Sequence, residues 1–216
     1  MNMRPYIIIN CAMSLDGKIA LPSGEQARIS SEEDMVRVHK LRNSVDAILV
    51  GVGTILADDP KLTVKKEYVK HTRKNPIRIV LDSHFRTPEN AEVMKPEAKT
   101  IIVTTTKEYK KGLLEVIKCG KEGSDKVDIE KLMEILYERG IKKLLVEGGS
   151  TVIWEFLSHH LFDELHVYIA PFIIGGGAPT MAGGEGIKRI EEAIKLHLYA
   201  IERYGDGLVL KFIPPP

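Results

Sequence analysis

The chain has 216 residues, of which 44% are hydrophobic and 28% charged, and its 31 basic and 30 acidic side chains leave a formal net charge of +1. This length suits one domain with a sizeable core, so we expect residues 1–216 to form a single domain with a loose proline tail at 214–216. The charge balance disfavours general nucleic-acid or membrane-surface binding, and no apolar run approaches the ~20 residues of a membrane-spanning helix. Cys11 and Cys119 stand in unrelated settings, which predicts no disulfide and fits a reducing cytoplasm.

Short runs of consecutive apolar residues recur along the chain and predict buried β-strands. They lie at residues 6–12, 47–50, 77–81, 100–103, 144–146 and 165–170, with a last pair near 195–201 and 207–213. Because the runs are continuous rather than alternating, both faces of each strand should be covered. This favours a mostly parallel sheet with helices on both faces. The polar stretches at 60–76 and 83–96 are expected to be surface connections.

Helical patterns fall between these strands. Ser30 and Glu33 have the spacing of a capping box before a helix that runs to residue 43. Residues 128–139 place apolar side chains at helical spacing, and Gly140 follows where a left-handed residue is wanted. A third helix should begin at about residue 150. Strands that alternate with helices predict an α/β fold.

The first candidate for chemistry follows the strand at 47–50 and reads GVGTILADDP. Glycines let a ligand approach the backbone, and a helical turn that opens at Thr54 would direct its N–H groups at an anion. Thr54 and Asp58 would then share one face. Leu56 stands where a GxGxxG dinucleotide fingerprint needs glycine, and no P-loop follows. By itself the segment is equally compatible with an ordinary glycine turn.

The second candidate is EGGST at residues 147–151, again directly after an apolar strand. Two glycines and two hydroxyl residues at a helix N-terminus form an anion site from backbone amides. An ordinary N-cap would explain Ser150 but not Glu147 at the end of the strand. In an open α/β sheet ligands bind beyond the carboxyl ends of the strands, so two such turns favour a common ligand.

The third candidate is the polar turn after the strand at 77–81. Its Ser83, His84 and Arg86 could together bind a dianionic phosphate, such as the 2′-phosphate of an NADP-type cofactor. An ordinary polar loop is the alternative.

The fourth candidate is the loop after the first strand, which presents Ser14, Asp16, Lys18 and Gln26. It is interpreted as a wall of a substrate site, although Asp-Gly is also common turn chemistry.

Other patterns are weaker. His159, His160 and His166 have no partners at tetrahedral zinc spacing, so no metal site is expected. The glycine clusters at 175–177 and 183–186 are interpreted as flexible connections or a close-packed contact between subunits.

Three strings, AMSLDGKIA, GVGTILADDPKLTV and LVEGGS, together resemble the pyrimidine reductases of riboflavin biosynthesis. The resemblance covers residues 6–213. It implies a dihydrofolate-reductase-like fold, NADPH as cofactor, and reduction of the ribosyl side chain of a pyrimidinone ribosylamino 5′-phosphate to a ribityl chain. Hydride would pass to the sugar C1′ after the ribosylamine opens to an imine.

The resemblance also implies roles for individual residues. Arg42 and Lys65 would hold the 5′-phosphate. For the proton that ring opening needs, Asp58 is the first candidate because its neighbour Thr54 would fix it near the cofactor, with Asp16, Lys18 and solvent as alternatives. The implied substrate contacts are Gln26, Arg42, Leu62, Lys65 and Glu147. The implied cofactor contacts are Ala12, Arg28, Thr54, Asp58, Leu81, Asp82, Ser83, His84, Gly148, Gly149, Ser150, Thr151 and Val152.

The sequence departs from the bacterial members in two ways. They typically have arginine at the position of Lys65 and often tryptophan at that of Arg28. They also carry a zinc deaminase domain whose H-x-E…P-C-x-x-C signature is not found here. The chain therefore resembles the stand-alone archaeal or fungal type, which reduces the 2,5-diamino compound before deamination.

Two other functions stay open. A dihydrofolate reductase would bury a carboxylate for the pteridine where this chain offers Arg42 and Lys65, and a non-catalytic module could bind NADPH without turnover. A homodimer is expected from the exposed strand pair near the C-terminus and from the glycine clusters.

Overall fold

The computed structural model describes residues 3–24, 27–71 and 74–216. They divide into two compact units. One is His39–Leu145 with the stretch that ends at Tyr6, and the other is Ile7–Val38 with Val146–Pro216. The helices are α1 (Glu32–Asn43), α2 (Val52–Asp58), α3 (Ile129–Glu138) and α4 (Ser150–Ser158). The strands are β1 (Tyr6–Ser14), β2 (Ala47–Gly51), β3 (Ile77–Leu81), β4 (Thr100–Thr104), β5 (Tyr109–Lys111), β6 (Leu114–Lys118), β7 (Lys143–Val146), β8 (Glu164–Ala170), β9 (His197–Tyr204) and β10 (Gly207–Ile213).

In the first unit the strands lie in the order β5-β6-β4-β3-β2-β7. Strands β2, β3, β4 and β6 pair in parallel, and β5 adds an antiparallel edge. Isoleucine and valine fill β2 and β4, which are buried along their whole length. The edge hairpin of β5 and β6 was not predicted, because all three residues of β5 are exposed and give no apolar run.

In the second unit the order is β1-β8-β10-β9. Strand β1 pairs in parallel with β8, whereas β10 is antiparallel to both β8 and β9. Parallel pairs are therefore the more numerous in the described sheet, and the predicted α/β fold with a mostly parallel sheet is confirmed.

The helices follow the predicted pattern with one change. The N–H of Asp34 donates to Oγ of Ser31 at 3.2 Å, so Ser31 caps α1 and the capping box predicted from Ser30 is wrong by one residue. Asp128 caps α3 through the N–H of Lys131, and Gly140 has the expected left-handed conformation with φ 85°. None of the helices in the described residues has the length and apolar character that crossing a bilayer requires.

The predicted surface connections are anchored in the core. Leu62, within the first, is only 2% exposed. The second is held by Arg78, which is fully buried in β3 and donates from Nη2 to the carbonyl oxygens of Lys95 at 2.5 Å and Ala98 at 2.7 Å. Because a buried guanidinium must be hydrogen-bonded, the loop carbonyls fold over it.

Candidate functional site

Helix α2 carries Thr54 and Asp58. It begins at Val52, with Gly51 as an extended N-cap, so the expected start at Thr54 is wrong by two residues. The reason is that Gly51 already ends the strand and the buried Val52 opens the helix. Thr54 and Asp58 lie one turn apart and are both half-buried. Burial raises the pKa of the Asp58 carboxyl, so this group keeps its proton to a higher pH than an ordinary aspartate.

The turn after β3 contains Asp82, Ser83 and His84. Asp82 is fully buried, and its Oδ2 accepts hydrogen bonds from N and Oγ1 of Thr87, both at 2.7 Å. The carboxylate therefore stabilises the turn. Ser83 and the preceding Leu81 are half-buried, and His84 is exposed. The side chains that this turn offers to a ligand are those of Ser83, His84 and the exposed Arg86, whose Nε lies 3.9 Å from Oδ1 of Asp82.

A group of threonines beside Ser83 was missed by the sequence analysis. The carbonyl oxygen of Ser83 accepts from Oγ1 of Thr104 at 2.9 Å, and from N and Oγ1 of Thr105 at 3.1 and 2.9 Å. Thr106 Oγ1 lies 3.2 Å from that of Thr104. The sequence feature that could have revealed this group is the run of three threonines at the carboxyl end of the apolar strand β4.

Arg42, Leu62 and Lys65 are the predicted substrate contacts of the first unit. Arg42 is half-buried on α1 and donates to the carbonyl oxygen of Thr63 at 3.3 Å. The Leu62 side chain is buried, and its backbone is left-handed with φ 50°, so a ligand would meet its backbone. The Lys65 side chain is 54% exposed, and its Nζ lies 3.5 Å from Oε1 of Glu67. Arg42 and Lys65 are thus two cations in the same unit, one on α1 and one on the segment that Arg42 contacts.

The loop after β1 connects to a distant segment of the second unit. Ser14 is fully buried and donates from Oγ to Oδ1 of Asp16 at 2.6 Å. Asp16 also accepts hydrogen bonds from the backbone N–H groups of Ile174 and Gly175. Lys18 donates from Nζ to the carbonyl oxygen of Ala178. These bonds lower the pKa of Asp16 to about 2, the Ser14 hydroxyl being the largest cause. Because its side chain is buried, the prediction that Ser14 is presented in the wall of a substrate site is wrong.

Ala12 and Arg28 also belong to the second unit. Ala12 is half-buried on β1 and packs against a core cluster that includes Tyr168. Arg28 is exposed and donates to Oε2 of Glu32 at 2.9 Å. A cavity of about 330 Å³ borders Arg28 and Tyr168. The predicted contact Gln26 lies outside the described residues.

The turn at 147–152 joins β7 to α4. Glu147 is half-buried, Gly148 has φ 105°, and the peptide bond between Gly148 and Gly149 is cis. Gly149 is the N-cap, and no side chain of the described residues caps α4. Ser150, Thr151 and Val152 form the first turn of the helix. Their N–H groups precede the first intrahelical bond, from Ile153 N to Gly149 O, so this helix start can bind an anion.

The second glycine cluster packs against α4 of the same chain. Gly183 N donates to the carbonyl oxygen of Ser150 at 3.1 Å, and a Cβ on Gly184 would lie 2.2 Å from Cδ1 of Trp154. Close approach to this helix explains both glycines, rather than a flexible connection. Across the residues that the structure describes, no cluster of histidine, cysteine or acidic side chains could hold a metal ion. His166 instead bonds Oε2 of Glu164 at 2.6 Å.

Comparisons with known proteins identify the family. Residues 5–210 match the model described as the RibD C-terminal domain. The 2,5-diamino-6-ribosylamino-4(3H)-pyrimidinone 5′-phosphate reductase of Methanothermobacter thermautotrophicus is 43% identical over 97% of this chain and 98% of its own length. The reductase of the same name from Archaeoglobus fulgidus is 40% identical over 96% of this chain and 97% of its own.

A solved structure shows the same likeness. The diaminohydroxyphosphoribosylaminopyrimidine deaminase/5-amino-6-(5-phosphoribosylamino)uracil reductase of Thermotoga maritima is 30% identical and matches with a TM-score of 0.83. The match covers 98% of this chain and 57% of that one. The predicted dihydrofolate-reductase-like α/β fold is confirmed, and the chain belongs to the RibD C-terminal domain family.

Proposed function

We propose that this protein reduces the ribosyl side chain of 2,5-diamino-6-ribosylamino-4(3H)-pyrimidinone 5′-phosphate to the ribitylamino product in riboflavin biosynthesis, with NADPH as reductant. The observation that carries this proposal is the identity of at least 40% with two archaeal reductases of that name, over nearly the full length of each protein. A match of that extent leaves no large part of those relatives without a counterpart here.

The residues present fit a phosphorylated nicotinamide cofactor. The uncapped N-terminus of α4, after two glycines that let a ligand approach, suits the pyrophosphate. The half-buried Ser83 and the exposed His84 offer hydrogen-bond donors for the 2′-phosphate, and the exposed Arg86 offers a cation. When bound, the nicotinamide supplies a hydride. We assign Ala12, Arg28, Thr54 and Asp58 to the same cofactor by the resemblance of their sequence context.

The substrate's phosphate is assigned to Arg42 and Lys65. Both are cations, and two cations can balance one phosphate dianion. The carboxylate of Glu147 would accept hydrogen bonds from the amino groups of the pyrimidinone. This chain has no strong general charge, so two placed cations rather than a basic surface would select a phosphorylated substrate.

The reaction needs a proton as well as a hydride. Opening of the sugar ring breaks the C1′–O4′ bond: O4′ gains a proton and the amine nitrogen loses one, which leaves an imine. Reduction of this imine would add a hydride at C1′, which a bound nicotinamide would supply, and a proton at the nitrogen. Asp58 is the donor that we propose for the proton of ring opening, because burial raises its pKa and so favours the protonated form. Asp16 is unsuited, since its carboxylate is held ionised by its hydrogen bonds.

The test is an anaerobic assay of the purified chain with NADPH and the diamino pyrimidinone phosphate, followed by the loss of reduced-nicotinamide absorbance and by identification of the ribitylamino product. Turnover supports the proposal. NADPH binding without turnover would indicate a non-catalytic module instead. Turnover of dihydrofolate, blocked by methotrexate, would indicate a dihydrofolate reductase.

We also propose a cytoplasmic homodimer. Strand β9 is the last in its sheet order, and Leu198, Tyr199 and Ile201 on it are exposed. An exposed apolar edge strand is a surface that a second copy commonly covers. The two cysteines, Cys11 and Cys119, are free and buried, which fits a reducing compartment.

A further inference from the structure

The C-terminal half of α1 binds the segment that carries Lys65. The N–H of Lys65 donates to Nδ1 of His39 at 3.2 Å, and one turn further along the helix Arg42 donates to the carbonyl oxygen of Thr63 at 3.3 Å. His39 and Arg42 are three residues apart and so lie on one face of the helix. This face therefore fixes the backbone on which the proposed phosphate-binding lysine stands.

The His39 ring also stacks on the ring of Tyr68. Its imidazole is 1% exposed and stacks on Tyr68, with 4.8 Å between ring centroids and 15° between planes. On the same tyrosine, Nζ of Lys65 lies 5.6 Å from the ring centroid, within range of a cation–π contact. Tyr68 N in turn donates to the carbonyl oxygen of Lys65 at 3.2 Å. The backbone and the ammonium group of Lys65 are thus both connected to the pair of His39 and Tyr68.

The hydrogen bond defines the form of the imidazole. Nδ1 can accept from the Lys65 N–H only when it carries no hydrogen itself, so the hydrogen of the neutral ring resides on Nε2. A phenylalanine would keep a stacking ring but lose the acceptor. An asparagine would lose the ring but place Oδ1 near the position of Nδ1.

We propose that His39 is a positioning residue for the substrate's phosphate, acting through Lys65 and Tyr68. The inference rests on the proposed function, in which Lys65 binds the 5′-phosphate. The Lys65 side chain is more than half exposed and would otherwise sample many rotamers. Fixing its backbone and offering its ammonium a ring lowers the entropy lost when the phosphate binds.

The test compares His39→Phe, His39→Asn and Lys65→Met in steady-state assays. His39→Phe should raise the KM for the pyrimidinone phosphate about tenfold, because one hydrogen bond that holds Lys65 in place is lost. The kcat and the KM for NADPH should not change. His39→Asn should recover most of the wild-type KM. In the Lys65→Met background, His39→Phe should raise KM no further, because its effect passes through that lysine.

A merely structural role for His39 gives a different result. It would lower the melting temperature and raise KM equally with and without Lys65, which overturns the proposal. If His39→Phe does not fold, Tyr68→Leu removes the ring that the Lys65 ammonium contacts and should raise the same KM. A wild-type KM in that variant also overturns the proposal. If the wild type turns over the substrate and His39→Phe has the same KM, the role of His39 is refuted and the proposed function is not. A wild-type protein with no turnover refutes the proposed function.

Discussion

The carboxylate of Asp16 accepts a hydrogen bond from the backbone N–H of Gly175, with 2.7 Å between Oδ2 and N. Its other oxygen accepts from Oγ of Ser14 at 2.6 Å and from N of Ile174 at 3.1 Å. The turn after β1 is thereby connected to a glycine-rich segment about 160 residues later. One carboxylate thus determines the path of two loops.

Replacing Asp16 by asparagine should lower the melting temperature by a few degrees, because an amide nitrogen cannot accept a hydrogen bond in place of a carboxylate oxygen. The pKa of Asp16 is lowered to about 2, below the ~3.9 of an unfolded aspartate. The stabilisation is therefore fully present above about pH 4 and is lost as the pH falls through about 2.

Thermal unfolding of both proteins from neutral pH to about pH 2 measures this effect. The difference in melting temperature should stay constant down to about pH 5 and shrink below about pH 4. Glu185→Gln, which changes an exposed acid, is the control and should show no difference. If the difference in melting temperature is as large at about pH 2 as at neutral pH, ionisation of Asp16 is not its source.

Replacing the buried Arg78 by methionine should reduce the free energy of unfolding by about 3 kcal/mol, because the buried carbonyl oxygen of Ala98 and the buried Oγ1 of Thr100 would lose their donor. Urea denaturation measures the loss. Arg189→Met removes an exposed arginine that pairs with Glu192, and it should change the free energy by less than about 0.5 kcal/mol. Equal effects of the two changes would refute the role assigned to Arg78.

Sequence reasoning located the elements well where the signal is local. The apolar runs at β2 and β4 predict strands because burial on both faces favours unbroken hydrophobicity. Strand β5 has no such signal. It exists because Tyr109, Lys110 and Lys111 pair with β6, a property of the tertiary structure rather than of its composition.

The site was predicted less evenly, for a related reason. Glycine turns such as 147–149 are visible in the sequence, since their function depends on the local backbone. The two backbone donors to Asp16 lie far along the chain, so its sequence context alone resembles that of a ligand contact. His39 was overlooked in the same way, because a lone histidine in a helix does not indicate that it meets Lys65.

The proposed dimer should dissociate when a charge is placed on β9. Ile201 is 60% exposed on that strand, and lysine there would bury an unpaired cation in the contact. Sedimentation equilibrium should show a dimer for the wild type and a monomer for Ile201→Lys. The control is Ile190→Lys, at a residue that is 76% exposed but outside the strand. A monomeric wild type, or dissociation by both changes, would contradict an interface on β9.

The proposed preference for NADPH over NADH should depend on Ser83. Its carbonyl oxygen accepts bonds from Thr104 and Thr105, so Ser83→Ala keeps the turn and removes only the hydroxyl. The KM for NADPH should rise about tenfold, since a hydrogen bond to a charged phosphate is lost, while the KM for NADH should not change. Ser158→Ala is the control. Parallel increases for both cofactors would place the effect elsewhere than at the 2′-phosphate.

Replacing Asp58 by asparagine should reduce kcat about 100-fold at saturating substrate, the loss typical of a general acid. Because burial raises the pKa of this carboxyl, the wild type keeps the proton at low pH and loses it as the pH rises through that raised pKa. Its kcat should therefore fall on the alkaline side, and the asparagine variant should lack this limb. Asp59→Asn is a matched control, because asparagine tolerates the left-handed φ of 41° and its Oδ1 can still accept from N of Glu92. An Asp58→Asn enzyme with the wild-type kcat and pH profile would assign the proton to another donor.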